Sequence, residues 1–146
     1  MISPAPHTPS QDIPRAGKKQ HLVLLGCGKM GSAMLKGWLQ QPDQFKHISI
    51  IEPAGLSPDI ASSDLVSCHA SLDAVLQSDA APIDFVVLAV KPQMMAEAIA
   101  PFGQIARDDI VFLSIAAGLS CDWISLQLGG RGHIVRAMPN TPASVG

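Results

Sequence analysis

Three closely spaced glycines form the first segment of the sequence that could bind a ligand. Gly26, Gly28 and Gly31 form a Gly-x-Gly-x-x-Gly pattern directly after an aliphatic run at residues 21–25. In this pattern the first glycine permits a tight turn, the second lets a pyrophosphate approach the backbone, and the third lets the next helix pack against the strand. An anion is favoured there by free N–H groups and the helix dipole. The pattern predicts dinucleotide binding, and a purely structural turn is the alternative.

An acidic residue follows the next aliphatic run. Glu52 closes residues 47–51, about 20 positions after Gly31, where a carboxylate can accept a hydrogen bond from the adenosine ribose 2′-hydroxyl and repel a 2′-phosphate. No arginine lies nearby to bind a 2′-phosphate, and Lys46 is at the far end of the run. Glu52 therefore favours NAD over NADP as the cofactor, and an exposed acid at a strand end is the alternative.

A lysine follows the most apolar run of the chain. Residues 84–90 are apolar enough for a central parallel strand, and Lys91 and Pro92 come directly after Ala89 and Val90. Ligands of parallel sheets bind at this carboxyl end of the strands. A solvated lysine at a helix start is the alternative, although a cation is unfavourable at a helix N-terminus. We therefore interpret Lys91 as a group that faces a phosphate, a ribose or a carboxylate.

Two further segments end runs in small or rigid residues. Ala116 and Ala117 follow residues 109–115, and small side chains let a flat ring lie close to the backbone. Asn140 lies between prolines after residues 133–137, which would hold it as a fixed hydrogen-bonding group. A tight turn and an ordinary proline-rich loop are the respective alternatives.

Composition excludes several other classes of protein. The 146 residues are 47% hydrophobic, which excludes disorder of the whole chain, and only 4% aromatic with no Tyr. A net charge of −2 gives no electrostatic case for binding nucleic acid or an anionic membrane, and no apolar run approaches the roughly 20 residues of a membrane span.

The five histidines show no metal spacing, and the four outside the N-terminal tail are expected at the surface or at strand ends. We predict no metal site. The cysteines suit a reducing cytoplasm rather than a disulfide or zinc site: Cys27, Cys68 and Cys121.

Short aliphatic runs alternate with helix-like stretches. This alternation predicts an α/β fold with a doubly wound, mostly parallel, Rossmann-like sheet. Residues 1–20, with four prolines, are predicted to be a disordered tail, and residues 21–146 one dinucleotide-binding domain. The predicted strands are 21–25, 47–51, 65–68, 84–90, 109–115 and 133–137. The predicted helices are 29–41, 71–77, 92–100 and 120–128. Residues 59–67 are ambiguous, and a short helix is one interpretation of them.

Four segments carry a family resemblance. LLGCGKMG, VVLAVKPQ, LSIAAGLS and IVRAMPNTPASVG resemble, in order, the N-terminal domain of pyrroline-5-carboxylate reductase. That family reduces 1-pyrroline-5-carboxylate to L-proline with NAD or NADP coenzymes in their reduced form, the last step of proline biosynthesis. The resemblance implies that the pyrophosphate and its ribose are contacted by Leu25, Gly26, Cys27, Gly28, Lys29 and Met30. It implies that the cofactor beside the nicotinamide is lined by Ala89, Val90, Lys91 and Pro92, and that Ser71 lies near the adenosine ribose. It also implies that the nicotinamide and the substrate end are bordered by Ala116, Ala117 and Asn140.

The resemblance also implies a missing part. The family continues into a helical C-terminal domain that forms the homo-oligomer and supplies much of the substrate pocket. We expect this chain to be truncated before that domain, to bind nucleotide, and to turn over slowly or not at all. No catalytic residue is assigned, because hydride addition to a C=N bond depends on placement more than on a strong protein acid. Another NAD(P)-dependent dehydrogenase of the hydroxyacid or F420-linked type, or a non-catalytic nucleotide-binding fragment, remains an alternative.

Overall fold

One parallel sheet positions the candidate residues. The computed structural model describes residues 18–78 and 82–138. Within these ranges the strands are β1 (Gln20–Leu25), β2 (Phe45–Ile51), β3 (Val66–His69), β4 (Phe85–Leu88), β5 (Val111–Ser114) and β6 (His133–Arg136). They pair in parallel in the order β3-β2-β1-β4-β5-β6. The predicted doubly wound α/β fold is confirmed.

The helices begin where capping residues predict. They are α1 (Lys29–Leu39), α2 (Pro58–Ala61), α3 (Leu72–Gln77), α4 (Pro92–Ile99) and α5 (Cys121–Gln127), with 3-10 turns at Pro42–Gln44 and Ala100–Gln104. The hydroxyl of Ser71 accepts a hydrogen bond from the Ala74 N–H at 3.2 Å, and that of Ser120 accepts one from Trp123 at 3.0 Å. Each serine satisfies a backbone donor that the helix itself leaves open.

Several elements are shorter than predicted. The helix predicted over 29–41 ends at Leu39, because the N–H groups of Gln40 and Gln41 bond to carbonyls three residues back and tighten the last turn. The strand predicted over 84–90 is Phe85–Leu88, since its neighbour β1 ends at Leu25 and only Ala89 still donates to it. Similarly, β5 begins after a turn closed by the Ile110 N–H and the Arg107 carbonyl.

Side chains alternate between two cores, one on each face of the sheet. Val23 and Leu25 of β1 join a core beneath α3, α4 and α5, whereas Leu22 and Leu24 join a second core beneath α1. The chain crosses from one side of β1 to the other between β3 and β4. The crevice at such a reversal of strand order is where open α/β sheets bind ligands. No helix among residues 18–78 and 82–138 is long and apolar enough to cross a membrane.

Candidate functional site

Two glycines of the turn between β1 and α1 are required by the local backbone. Gly26 has a φ of +89°, and a Cβ there would lie 2.8 Å from Cγ1 of Val90. A Cβ on Gly31 would lie 2.8 Å from the carbonyl oxygen of Gly26. A side chain at either position would push the helix or the β4 loop away from the turn. The tight turn and the close helix packing predicted for these glycines are therefore present.

Gly28 is different, because its surroundings are open. It is exposed and caps α1 with a φ of −73°, and a Cβ there would meet no atom within 4 Å. The first N–H groups of a helix have no partner within it, and the first turn of α1 holds no acidic residue. An anion can therefore approach the backbone at this end of α1 without meeting a side chain at Gly28.

A cleft of about 510 Å³ lies over the carboxyl ends of β1 to β4. The N–H of Ala89 bonds to the carbonyl of Leu25 at 2.8 Å, which draws the two loops together at the crossover point. Eight residues predicted from the sequence line the cleft: Leu25, Gly26, Gly28, Glu52, Ser71, Ala89, Val90 and Lys91.

Sequence reasoning missed the wall that α4 contributes. Met94, Glu97 and Ala98 of α4 line the cleft together with Pro101 of the following 3-10 turn, and their spacing of three, four and seven residues is that of one helix face. That periodicity, read together with the position of α4 directly after the loop containing Lys91, was the signal that could have found them. The other lining residues missed from the sequence are Ile51, Pro53, Ala70, Leu72 and Phe102.

The carboxylate of Glu52 is held by the backbone on two sides. Its Oε2 accepts a hydrogen bond from the Cys27 N–H at 2.9 Å, and its Oε1 accepts one from the Ala54 N–H at 3.2 Å. The first bond joins the end of β2 to the glycine turn. Glu52 is therefore more than an exposed acid at a strand end, because it fixes the turn while half-buried beside the cleft.

Ser71 and Lys91 both line the cleft, but they differ in whether their side chains already have a partner within the fold. The Ser71 hydroxyl already caps α3 through Ala74, so its oxygen is partly committed to the fold. Lys91 precedes Pro92 at the start of α4 and is exposed, and neither ion pair between described residues involves it. Of these two polar groups, only the lysine has a head group without a structural partner in the part of the chain described.

The remaining predicted site residues among those that the structure describes lie outside the cleft. Cys27, Lys29, Gly31 and Pro92 sit beside lining residues without themselves lining it, while Met30 lines a second depression of about 540 Å³. That depression also contains Ile115, Ala137 and Met138, from the ends of β5 and β6. Ala116 is buried in the core, Ala117 is exposed, and Asn140 lies outside the described residues. Their binding roles stay predictions.

The three cysteines are free thiols. The Cys68 Sγ donates to the Glu52 carbonyl at 3.6 Å. Burial, followed by the nearby Glu52 carboxylate, raises the pKa of the Cys68 thiol, so the nucleophilic thiolate is disfavoured there. Residues 18–78 and 82–138 hold no group of three or more His, Cys, Asp or Glu side chains that could bind a metal ion.

A ladder of histidines and serines crosses β1, β2 and β3. His21 lies 2.8 Å from the Ser49 hydroxyl, and the Ser67 hydroxyl lies 2.7 Å from His47 and 2.8 Å from His69. We call these five residues the His–Ser ladder. The expectation that these histidines lie at the surface or at strand ends holds for His21 near the start of β1, although only 1% of it is accessible. It is wrong for His47, which is the third residue of β2 and is not exposed.

The ladder disfavours a positive charge on its central histidine. Burial lowers the pKa of His47, and repulsion from His21 and His69 lowers it further. The rings of His21 and His47 are 5.8 Å apart between centroids. All buried side-chain nitrogen and oxygen atoms in the described ranges have hydrogen-bond partners. The ladder is thus a structural polar network rather than a set of groups that await a ligand.

The sequence of this sheet and its glycine turn matches one protein family. Residues 21–118 match the model described as NADP oxidoreductase, coenzyme F420-dependent. The chain belongs to this family. The match begins in β1 and continues past Ala116 and Ala117, so it includes the glycine turn, the cleft and the first five strands.

Individual relatives refine the comparison. The pyrroline-5-carboxylate reductase of Escherichia coli strain K12 is 36% identical over 130 residues, covering 87% of this chain and 46% of that protein. The enzyme of the same name from Haemophilus influenzae is 33% identical over 126 residues, covering 86% and 45%. A crystal structure of Plasmodium falciparum pyrroline carboxylate reductase with NADP bound has a TM-score of 0.65 at 22% identity, covering 87% and 44%.

These comparisons confirm the resemblance seen in the four sequence segments. The chain spans about half the length of the curated relatives that it matches. Because the sequence identity to the Plasmodium structure is only 22%, that likeness shows a shared fold and nothing more.

Proposed function

We propose that the cleft binds NADH or NADPH, and that the protein acts as a pyrroline-5-carboxylate reductase, converting 1-pyrroline-5-carboxylate to L-proline. The observation that carries the proposal is the open backbone at Gly28, between two glycines that the fold itself requires. Family membership and the relatives named pyrroline-5-carboxylate reductase support the reaction.

The residues of the cleft suit a dinucleotide. A diphosphate needs side-chain-free backbone at a helix N-terminus, which the turn from Gly26 to Gly31 provides. Glu52 and Ser71 would hold the adenosine ribose, because they stand at the ends of β2 and β3 on one side of that turn. Ala89, Val90 and Lys91 stand on its other side and would line the nicotinamide half.

The chemistry asks little of the protein's own acids and bases. A bound nicotinamide coenzyme supplies the hydride for reduction of a C=N bond, and the nitrogen takes a proton from solvent. The chain contributes by orienting the reactants and excluding water from the apolar cleft walls. This accounts for a binding site without an acid–base pair of side chains.

The substrate end and the compartment are also proposals. We propose that substrate binds toward the ends of β5 and β6, where Met30, Ile115, Ala137 and Met138 line the second depression. The three free thiols favour a reducing compartment, for which we propose the cytoplasm.

The binding proposal is tested by replacing Gly28 with valine and titrating the chain with NADH and NADPH by calorimetry. A valine side chain at Gly28 enters open space, so the melting temperature should change little while coenzyme affinity falls at least about tenfold, or about 1.4 kcal/mol. Gly37→Val is the matched control, since Gly37 is also exposed on α1 with open space around it but lies outside the cleft. Equal affinities for the two variants would contradict the proposed site.

The reaction is tested by following coenzyme absorbance. 1-Pyrroline-5-carboxylate should oxidise NADH or NADPH slowly but measurably above the Gly28→Val background, and 3-hydroxy acids should not reduce the oxidised coenzymes. The opposite pattern would assign the chain to a hydroxyacid dehydrogenase.

A further inference from the structure

The negative charge of Glu52 is fixed in place. Its two oxygens accept hydrogen bonds from Cys27 on the glycine turn and from Ala54 on the loop after β2. A carboxylate has about four acceptor positions, so these two bonds leave others for hydroxyl donors. Because the bonds come from backbone N–H groups of two loops, the carboxylate cannot swing away without loosening the turn.

The side of the cleft that holds Glu52 lacks positive charge. Residues 47–90 contain six acidic residues and neither lysine nor arginine. Among described residues that line the cleft, the charged side chains are Glu52, Glu97 and Lys91. Lys91 follows β4, which is separated from β2 by β1, so the two strand axes are about 10 Å apart. A phosphate beside Glu52 would therefore face a fixed carboxylate without a neighbouring cation on its own strand loop.

We propose that this chain selects NADH over NADPH, with Glu52 as the specificity-determining residue. The inference rests on the proposed function, namely that the cleft binds a nicotinamide dinucleotide with its adenosine ribose near the end of β2. A ribose 2′-hydroxyl can donate to the carboxylate positions that Cys27 and Ala54 leave open. A 2′-phosphate carries negative charge and no donor in its ionised form, so it is repelled at the same place.

The geometry separates the two roles of Glu52, which allows a sharp test. In Glu52→Gln the amide oxygen can still accept the hydrogen bond from the Cys27 N–H, whereas the negative charge and the longer bond from the Ala54 N–H are lost. Glu97→Gln is the matched control, because it removes the same charge from the α4 wall of the same cleft. Dissociation constants for NADH and NADPH are measured by calorimetry at low ionic strength, with thermal melting of each variant.

The wild-type chain should bind NADH at least about tenfold more tightly than NADPH, a difference of about 1.4 kcal/mol. Glu52→Gln should lower this ratio at least about fivefold, mainly through tighter NADPH binding, while Glu97→Gln should leave it within about twofold. Higher salt should narrow the wild-type ratio, since screening weakens the repulsion. Titration with AMP and with adenosine 2′,5′-bisphosphate, which differ only in the 2′-phosphate, should reproduce the preference and place the discrimination at the adenosine half.

Equal affinities in the wild-type chain, or a preference for NADPH, would overturn the inference whatever the variants do. A ratio unchanged by Glu52→Gln would also overturn it. If that variant unfolds, Ala54→Arg provides a second test: this exposed position beside Glu52 should gain NADPH affinity while the carboxylate stays in place. Failure of both coenzymes to bind the folded wild-type chain would instead remove the proposed function.

Discussion

The His–Ser ladder lies on β1, β2 and β3, which are three of the four strands that end beneath the cleft, yet the two regions treat polar groups in opposite ways. In the ladder, side chains hydrogen-bond to one another at 2.7–2.8 Å, twice between neighbouring strands and once along β3. At the cleft, Gly28 has no side chain and the space around it is open, so the backbone at the start of α1 is accessible. Concentrated histidine therefore marks a structural network in this protein, whereas missing side chains mark the proposed binding site.

The largest expected effect on stability comes from a substitution at Gly31, in the glycine turn that borders the cleft. A Cβ at this position would lie 2.8 Å from backbone of the glycine turn, so Gly31→Ala should destabilise the chain by about 1–3 kcal/mol, as overpacking does. Gly37 of the same helix has open space around it, and Gly37→Ala should instead stabilise by up to about 1 kcal/mol through helix propensity. Urea denaturation measures both variants. Equal stabilities would show that the turn is not closely packed.

A smaller effect concerns the ladder and pH. Because the pKa of His47 is lowered in the folded chain, the unfolded chain binds the proton more readily. Stability conferred by the neutral form should therefore be complete above the unfolded pKa of about 6.5 and be lost progressively as pH falls below it. His21, His69 and the Ser67 hydroxyl are the groups that face His47.

Melting temperatures between pH 8 and pH 5 test the role of His47. The wild-type chain should lose stability on acidification, and His47→Gln should lose less, because glutamine does not titrate. His133→Gln, at an exposed position on β6, should follow the wild-type curve. Identical pH profiles for His47→Gln and the wild-type chain would remove the ladder as a pH-sensitive element.

The sheet was predictable from the sequence for a physical reason. Apolar runs such as those of β1 and β4 are buried on both faces, and Pro92, Ser71 and Ser120 mark helix starts through purely local chemistry. Element ends were less predictable, because β4 stops where its partner β1 stops. The end of β4 at Leu88 therefore depends on Leu25, about 60 positions earlier in the sequence, and no local sequence pattern can predict it.

The site was predictable to the extent that it is made of loops at strand ends. Glycine spacing located Gly26, Gly28 and Gly31, and strand ends located Glu52 and Lys91. The hydrogen bond between Glu52 and Cys27 could not be predicted, because it needs the three-dimensional approach of two loops. The bonds of the His–Ser ladder from His21 to Ser49 and from His47 to Ser67 were missed for the same reason, since they cross between strands.

Amide NMR of the labelled chain during titration with NADH tests the central contrast most directly. We expect large, saturable shifts for amides from Gly26 to Met30, for Glu52, and for Ala89 to Lys91, with small shifts at His47 and Ser67. Shifts that centre on the His–Ser ladder, or no saturable shift at the glycine turn, would contradict the claim that open backbone at the end of β1 forms the coenzyme site.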